Sequence, residues 1–158
     1  MREFKIKGGF HSGLKVQENN DLILLSEVDK NWPKSDLINI YDRQKNLVVS
    51  IKHISRLFKN EFQIVDQNLD IKFINQSARN GTIELINGTV LKFRYSLTKL
   101  ITNPYLKIFH SDKEIGILNN KKIGLELNYN LMIDNEYESY LNYILTYILV
   151  TESNKDYD

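Results

Sequence analysis

The chain has 158 residues, 42% of them hydrophobic and 26% charged, a formal net charge of +1 and no cysteine. That length suits one domain able to bury its own core. The near-neutral balance argues against a dedicated nucleic-acid binder, and the lack of cysteine excludes disulfides, thiolate metal sites and a thiol nucleophile.

The amino terminus, MREFKIKGGF, carries no apolar h-region, so no secretory signal is expected. Phe4 and Ile6 alternate with Glu3, Lys5 and Lys7, which predicts a half-buried strand over Arg2 to Lys7, ended by Gly8-Gly9. A short strand follows near Leu14 to Gln17, then a more continuous apolar run over Asp21 to Val28, suited to a strand covered on both faces. DKNWPKSD is a polar connection in which Pro33 stops any regular element.

Leu37 to Tyr41 predicts the next strand and Asp42 to Asn46 a turn. Leu47, Val49 and Ile51 then alternate with Val48, Ser50 and Lys52. Leu57 to Val65 is expected to face Phe62 and Ile64 inward, and Leu69, Ile71 and Phe73 alternate with Asp70 and Lys72. Asn80-Gly81 and Asn87-Gly88 read as hairpin turns around a strand Thr82 to Ile86. In Val90 to Tyr95, Leu91, Phe93 and Tyr95 share one face, with Lys92 and Arg94 on the other. Ser96 to Asn103 reads as a loop or a short helical turn. Strands are expected at Tyr105 to Phe109 and Glu114 to Leu118. The cleanest alternation of all sets Ile123, Leu125, Leu127, Tyr129 and Leu131 against Gly124, Glu126, Asn128 and Asn130.

The stretch DNEYESYLNYILTYILVTE, Asp134 to Glu152, breaks this pattern and predicts a helix over about 135–151. Asn135 is the expected N-cap, with Glu138 completing a capping box. From Tyr140 to Val150 only Asn142 and Thr146 are polar, and with Glu138 they form one narrow stripe. A surface helix would show a broad polar half, so this one is expected to be buried on most sides. At about 11 apolar-rich residues it is too short for a membrane span, which needs about 20. The predicted fold is therefore mainly β: roughly twelve antiparallel strands closed into a barrel around the hydrophobic C-terminal helix. It forms a single domain over 1–152 with a polar tail, 153–158. Closure also removes the edge strands that such a chain would expose.

Three segments, IYDRQKNLVVSIKH, IVDQNLDIKFI and KKIGLELNYNLMIDNEYESYLNYILTYILV, follow one another in an order that resembles the tubby C-terminal domain superfamily. That group includes the phospholipid scramblases, the plant LURP-one-related proteins and small bacterial members. The resemblance implies a roughly twelve-stranded barrel around a buried helix. It also implies a binding role, since eukaryotic tubby proteins hold phosphoinositide headgroups on basic side chains of the barrel surface. Those positions have no residue-by-residue match here. The palmitoylated cysteines and acidic calcium loop of the scramblases are missing.

No nucleophile elbow, phosphate-binding glycine loop or paired-acid motif occurs, so no enzyme and no cofactor is expected. His11, His53 and His110 sit in no metal-ligand spacing. A basic surface is the leading functional candidate. Lys92 and Arg94 point outward from one strand, with Lys99 and Lys107 nearby in sequence and Lys52, Arg56 and Lys59 as a second group. These could attract an anionic lipid headgroup or serve as a solvated barrel exterior. Tyr137, Tyr140, Tyr143 and Tyr147 on the helix either line a ligand cavity or fill it. Two readings stay open: a cytoplasmic binding module that meets anionic membrane surfaces peripherally, through Lys92, Arg94, Lys99 and Lys107, and a protein-interaction scaffold whose exposed aromatic is Trp32. The Asn-, Lys- and Ile-rich usage of an AT-rich genome suggests a bacterial source for either.

Overall fold

The structure, a computed structural model, describes residues 1–9, 12–31, 35–56, 59–97, 103–121 and 126–153. Period-two alternation becomes twelve strands: β1 (Arg2–Gly8), β2 (Leu14–Glu18), β3 (Asp21–Asn31), β4 (Ser35–Asp42), β5 (Leu47–Arg56) and β6 (Lys59–Gln67), then β7 (Ile71–Gln76), β8 (Asn80–Leu85), β9 (Val90–Tyr95), β10 (Leu106–His110), β11 (Lys113–Asn120) and β12 (Leu127–Ile133). Each pairs antiparallel with its neighbour in sequence, and β1 pairs with both β2 and β12, closing a barrel. Ile6 stands opposite Val16 on one side and Tyr129 on the other, and all three point into a common core. The inward sets Phe4 and Ile6, Ile38 and Ile40, Val49 and Ile51, and Leu91, Phe93 and Tyr95 are all buried.

Two local readings are corrected. The register of β7 against β8 shifts between Ile71 and Phe73. This bulge inverts the alternation, so Phe73 is 40% exposed while Ile74 takes the inward place. Asn80-Gly81 is not a turn: both residues lie in β8, and the bend is made at Ser77 to Arg79, with the Ser77 N–H donating to the Asn80 carbonyl at 2.7 Å. Gly81 is glycine for another reason. A Cβ there would lie 1.6 Å from the Tyr147 hydroxyl oxygen. The Asn87-Gly88 turn is as expected, with Gly88 at φ +88°. Within the described residues the last strand keeps its expected inward set, Tyr129 and Leu131, and extends it to Ile133. Ile123 to Leu125 lie outside the described residues.

Asp134, not Asn135, caps the C-terminal segment, its carboxylate accepting from the Glu136 N–H at 3.3 Å. A 3-10 segment, Asn135–Tyr140, leads into helix α1 (Leu141–Glu152), and Tyr137 departs from helical geometry at φ −108°, ψ 21°. Glu138 does not complete a capping box. It pairs with Arg2, whose guanidinium also holds both Glu18 oxygens, at 2.8 and 2.6 Å. That fork lowers the Glu18 carboxyl below the usual carboxylate range through its hydrogen bonds, and it ties the entry of the helix to β1 and β2.

The helix runs down the inside of the barrel. Its contacts come from around the wall: Ser26 on β3 with Ser153, Gly81 on β8 and Phe93 and Tyr95 on β9 with Tyr147, and Tyr129 on β12 with Glu152. Ile144, Leu145, Ile148 and Leu149 are fully buried, and each such side chain contributes about 1.5–3 kcal/mol. Ser153, expected to begin a frayed tail, is 1% exposed and hydrogen-bonded to Ser26 at 2.6 Å.

The polar stripe is corrected as well. Asn142 is exposed, but Thr146 is 0% exposed and its hydroxyl has no hydrogen-bond partner among the described residues. Thr151 differs, donating to the Tyr147 carbonyl at 2.8 Å. A buried hydroxyl without a partner costs stability that a methyl of the same shape would not. Thr146→Val is expected to stabilise the fold by about 1 kcal/mol, read as a higher midpoint in denaturant unfolding; a lower midpoint would show that the hydroxyl is satisfied in solution.

Candidate functional site

Inside the barrel, side-chain hydrogen bonds run in series from the wall to the helix. His53 on β5 contacts Asn60 at 3.0 Å, the Asn60 amide donates to Gln76 at 3.2 Å, and the Gln76 amide donates to the Tyr95 hydroxyl at 3.0 Å. Tyr95 and Tyr147 then share a hydrogen bond of 2.9 Å. Asn60 and Gln76 are also opposite each other where β6 meets β7, a seam in register at only two pairs, Asn60–Gln76 and Glu61–Asn75. Near the helix C-terminus, Glu152 is fully buried and accepts from the Tyr129 hydroxyl at 2.8 Å and the Tyr105 hydroxyl at 3.2 Å. Tyr105 bridges the two groups by ring contacts to Tyr95 and Tyr129, both at 5.8 Å.

Tyr147 therefore fills the lumen, stacked on Phe93 at 3.6 Å. Tyr137 and Tyr140 stand at the barrel end beside the His110 ring, at 5.8 and 4.9 Å, and Tyr143 packs half-buried against the core. His53 stacks on Phe62 at 5.1 Å. His11 lies outside the described residues, and among those described no group of three or more His, Asp or Glu could hold a metal ion.

The outer face brings three of the expected cations together. In register, Lys107 on β10 is opposite Arg94 on β9, and Phe109 is opposite Lys92. Lys107 pairs with Glu114 at 3.0 Å and Lys92 with Asp112 at 3.4 Å. Arg94 has no ion pair among the described residues, and its guanidinium lies 4.6 Å from the Phe109 ring centre. The ammoniums and their partners are well exposed, so each pair is weak and exchangeable. A guanidinium spread on an aromatic ring keeps its donors free at the rim. Lys99 and Trp32 lie outside the described residues. The side chains of Arg56 and Lys59 do as well, although their backbones face each other across β5 and β6.

Sequence reasoning missed Phe109 as a platform and the acids Asp112 and Glu114 as internal competitors. Period-two counting from Lys107 puts Phe109 on the outer face; the acid pairing needs the β10–β11 register, which no local pattern carries.

Comparison with family models, with curated proteins and with solved structures finds no match for this chain.

The buried phenols set a pH dependence. Burial, first of all, raises the Tyr147 phenol above the ordinary value of about 10, helped by Tyr95 and the Glu152 charge; burial does the same for Tyr95. A group whose pKa is higher folded than unfolded supports the fold below its unfolded value and loses that contribution as the pH rises past it. Stability is expected to fall above pH ~10, approaching ~1.4 kcal/mol per pH unit for each buried phenol. Tyr147→Phe is expected to make that fall shallower by one phenol in denaturant unfolding between pH 8 and 11. An unchanged slope would refute the assignment.

Proposed function

We propose that the protein is a non-catalytic binding module that holds anionic phospholipid headgroups on the outer face of β9 and β10. The observation that supports this reading best is the meeting of Lys92, Arg94 and Lys107 on one patch of the barrel, with Arg94 spread on Phe109 and not neutralised by a described carboxylate. The lumen is filled by the chain's own helix, which favours an exterior role over a carrier of small ligands. The resemblance to the tubby-like superfamily points the same way, because its eukaryotic members use basic barrel surfaces for headgroups. Asp112 and Glu114 act as weak internal stand-ins for phosphate: they hold Lys92 and Lys107 in place and yield to a denser negative surface.

A second reading, a protein-interaction scaffold, is favoured by Val65 and Phe73, 62% and 40% exposed on neighbouring strands β6 and β7. It predicts a partner that buries an apolar patch rather than one that responds to salt.

Vesicle flotation separates the two. Binding to vesicles with anionic lipid is expected at low salt and is lost at high salt. Each of Lys92→Gln, Arg94→Gln and Lys107→Gln is expected to weaken it by roughly fivefold, since a cation near such a surface is worth ~1 kcal/mol. Asp112→Asn with Glu114→Gln is expected to tighten it. Equal flotation with and without anionic lipid would rule the headgroup reading out.

A further inference from the structure

A cleft of about 570 Å³ opens on another part of the barrel, where β12, β1, β2 and β3 lie side by side. Its shape follows from the register. Lys7 on β1 is directly opposite Lys15 on β2, and Lys15 is opposite Leu25 on β3. Two residues further along, past the partners Asn128 and Leu25, come Glu126 beside β12 and Glu27 on β3, and Gly8, Gly9 and Gly13 line the cleft with them. Side chains are excluded there. A Cβ on Gly8 would lie 2.2 Å from the Gly13 carbonyl oxygen, and one on Gly13, at φ +81°, would lie 1.9 Å from the Ser26 carbonyl oxygen. Tight backbone packing thus leaves a notch bordered by main chain, with Lys7 and Lys15 on its two inner strands and a glutamate at each outer one.

All four charged side chains are exposed, and none is ion-paired among the described residues. Elsewhere on this barrel, outward cations such as Lys72, Lys92 and Lys107 each find an acid within 3.4 Å. Here two like charges face each other directly, an arrangement that disfavours the sheet unless an anion sits between them. Two carboxylates at the edges repel a plain polyanion and attract a cation. The pattern is complementary to a molecule carrying both charges a few bonds apart.

We propose that this cleft binds a small zwitterion of the α-amino acid or short-peptide class, its carboxylate between Lys7 and Lys15 and its ammonium towards Glu27 or Glu126. Ser12 also lines the cleft, its hydroxyl oxygen 2.8 Å from where a Cβ on Gly9 would lie. The wall is also fixed to the core: the Leu14 N–H donates to the Ser26 hydroxyl at 2.8 Å, and Ser26 meets Ser153 at the end of α1.

The test is a titration of the full chain followed by amide NMR shifts, with triglycine, N-acetyl-triglycine, triglycine amide, glycine and inorganic phosphate as probes. Triglycine is expected to shift the amides of Gly8, Gly9, Ser12 and Gly13. Removing either of its charges is expected to weaken binding about fivefold, as loss of an exposed charge pair does. Lys7→Gln with Lys15→Gln should erase the cost of amidating the carboxylate, and Glu27→Gln with Glu126→Gln the cost of acetylating the amine. Glycine binding as tightly as triglycine would support the same site and assign it to free amino acids. Phosphate or N-acetyl-triglycine binding as tightly as triglycine would overturn the proposal, as would no shift at these amides with any probe at ~10 mM. The probe comparisons need only the wild-type chain, so a variant that fails to fold leaves the test standing.

Discussion

A closed sheet of twelve strands encloses more space than its own side chains can fill. About eight strands is the size at which inward residues just meet across the middle; beyond that the lumen must hold water, a ligand or more protein. In this barrel it holds α1, and almost every other feature follows. With side chains, a helix is about 10–12 Å across, so it needs apolar groups on nearly its whole circumference. That is why Ile144, Leu145, Tyr147, Ile148, Leu149 and Val150 are all at or near zero exposure. Wall and plug depend on each other: without the helix the inward faces of twelve strands would be wetted, and without the wall the helix would expose apolar side chains on every side.

Such an arrangement has a polar cost, and the chain meets it unevenly. Tyrosine is the device used most often, since it supplies apolar bulk along the helix and a hydroxyl at the end of it. Tyr147, Tyr95, Tyr105 and Tyr129 deliver four hydroxyls into the lumen, each hydrogen-bonded. The series from His53 through Asn60 and Gln76 to Tyr95 crosses the β6–β7 seam at one of its two paired positions. Past that point β6 and β7 lose their register, and the Gln67 side-chain amide bonds both backbone groups of Ile71, at 2.9 and 3.0 Å, as a strand neighbour would. The least regular part of the wall is thus held by side chains, and one of those chains ends on the helix.

The fold was legible because its two periods are unusually clean. Inward pairs such as Phe4 and Ile6, or Phe93 and Tyr95, reveal their face at spacing two, and the Tyr140 to Val150 run reveals a helix buried on most sides. What stayed hidden depends on contacts between distant residues. One extra residue at the β7 bulge turns Phe73 outward, and nothing near it in sequence marks the shift. Gly81 looks like turn chemistry beside Asn80, yet its requirement comes from Tyr147, far along the chain. Thr146 falls on a plausible polar stripe whose first members, Glu138 and Asn142, do reach water, whereas Thr146, one turn further on, is enclosed by the barrel. The basic face was half legible: Lys92 and Arg94 show their outward direction by alternation, whereas pairing with Asp112 and contact with Phe109 arise only once β9, β10 and β11 are aligned. The notch between Glu126 and Glu27 was not legible at all, since it needs the first and last strands to be neighbours.

A filled lumen has a further consequence for how this barrel presents its surface. Along β9, Phe93 and Tyr95 press on Tyr147 while Lys92 and Arg94, one residue away, face out. Along β3, Ser26 is bonded to the end of the helix while Leu25 and Glu27 line the cleft outside. Period two produces this coupling on these strands: an outward group there is flanked by residues that meet the plug. An outward side chain on such a strand loses little backbone freedom when it meets a ligand, because folding has already fixed it. The helix is thus more than filler. By immobilising the inner face of the wall, it also fixes the backbone beneath the outer side chains, a preorganisation on which the proposed headgroup binding would draw.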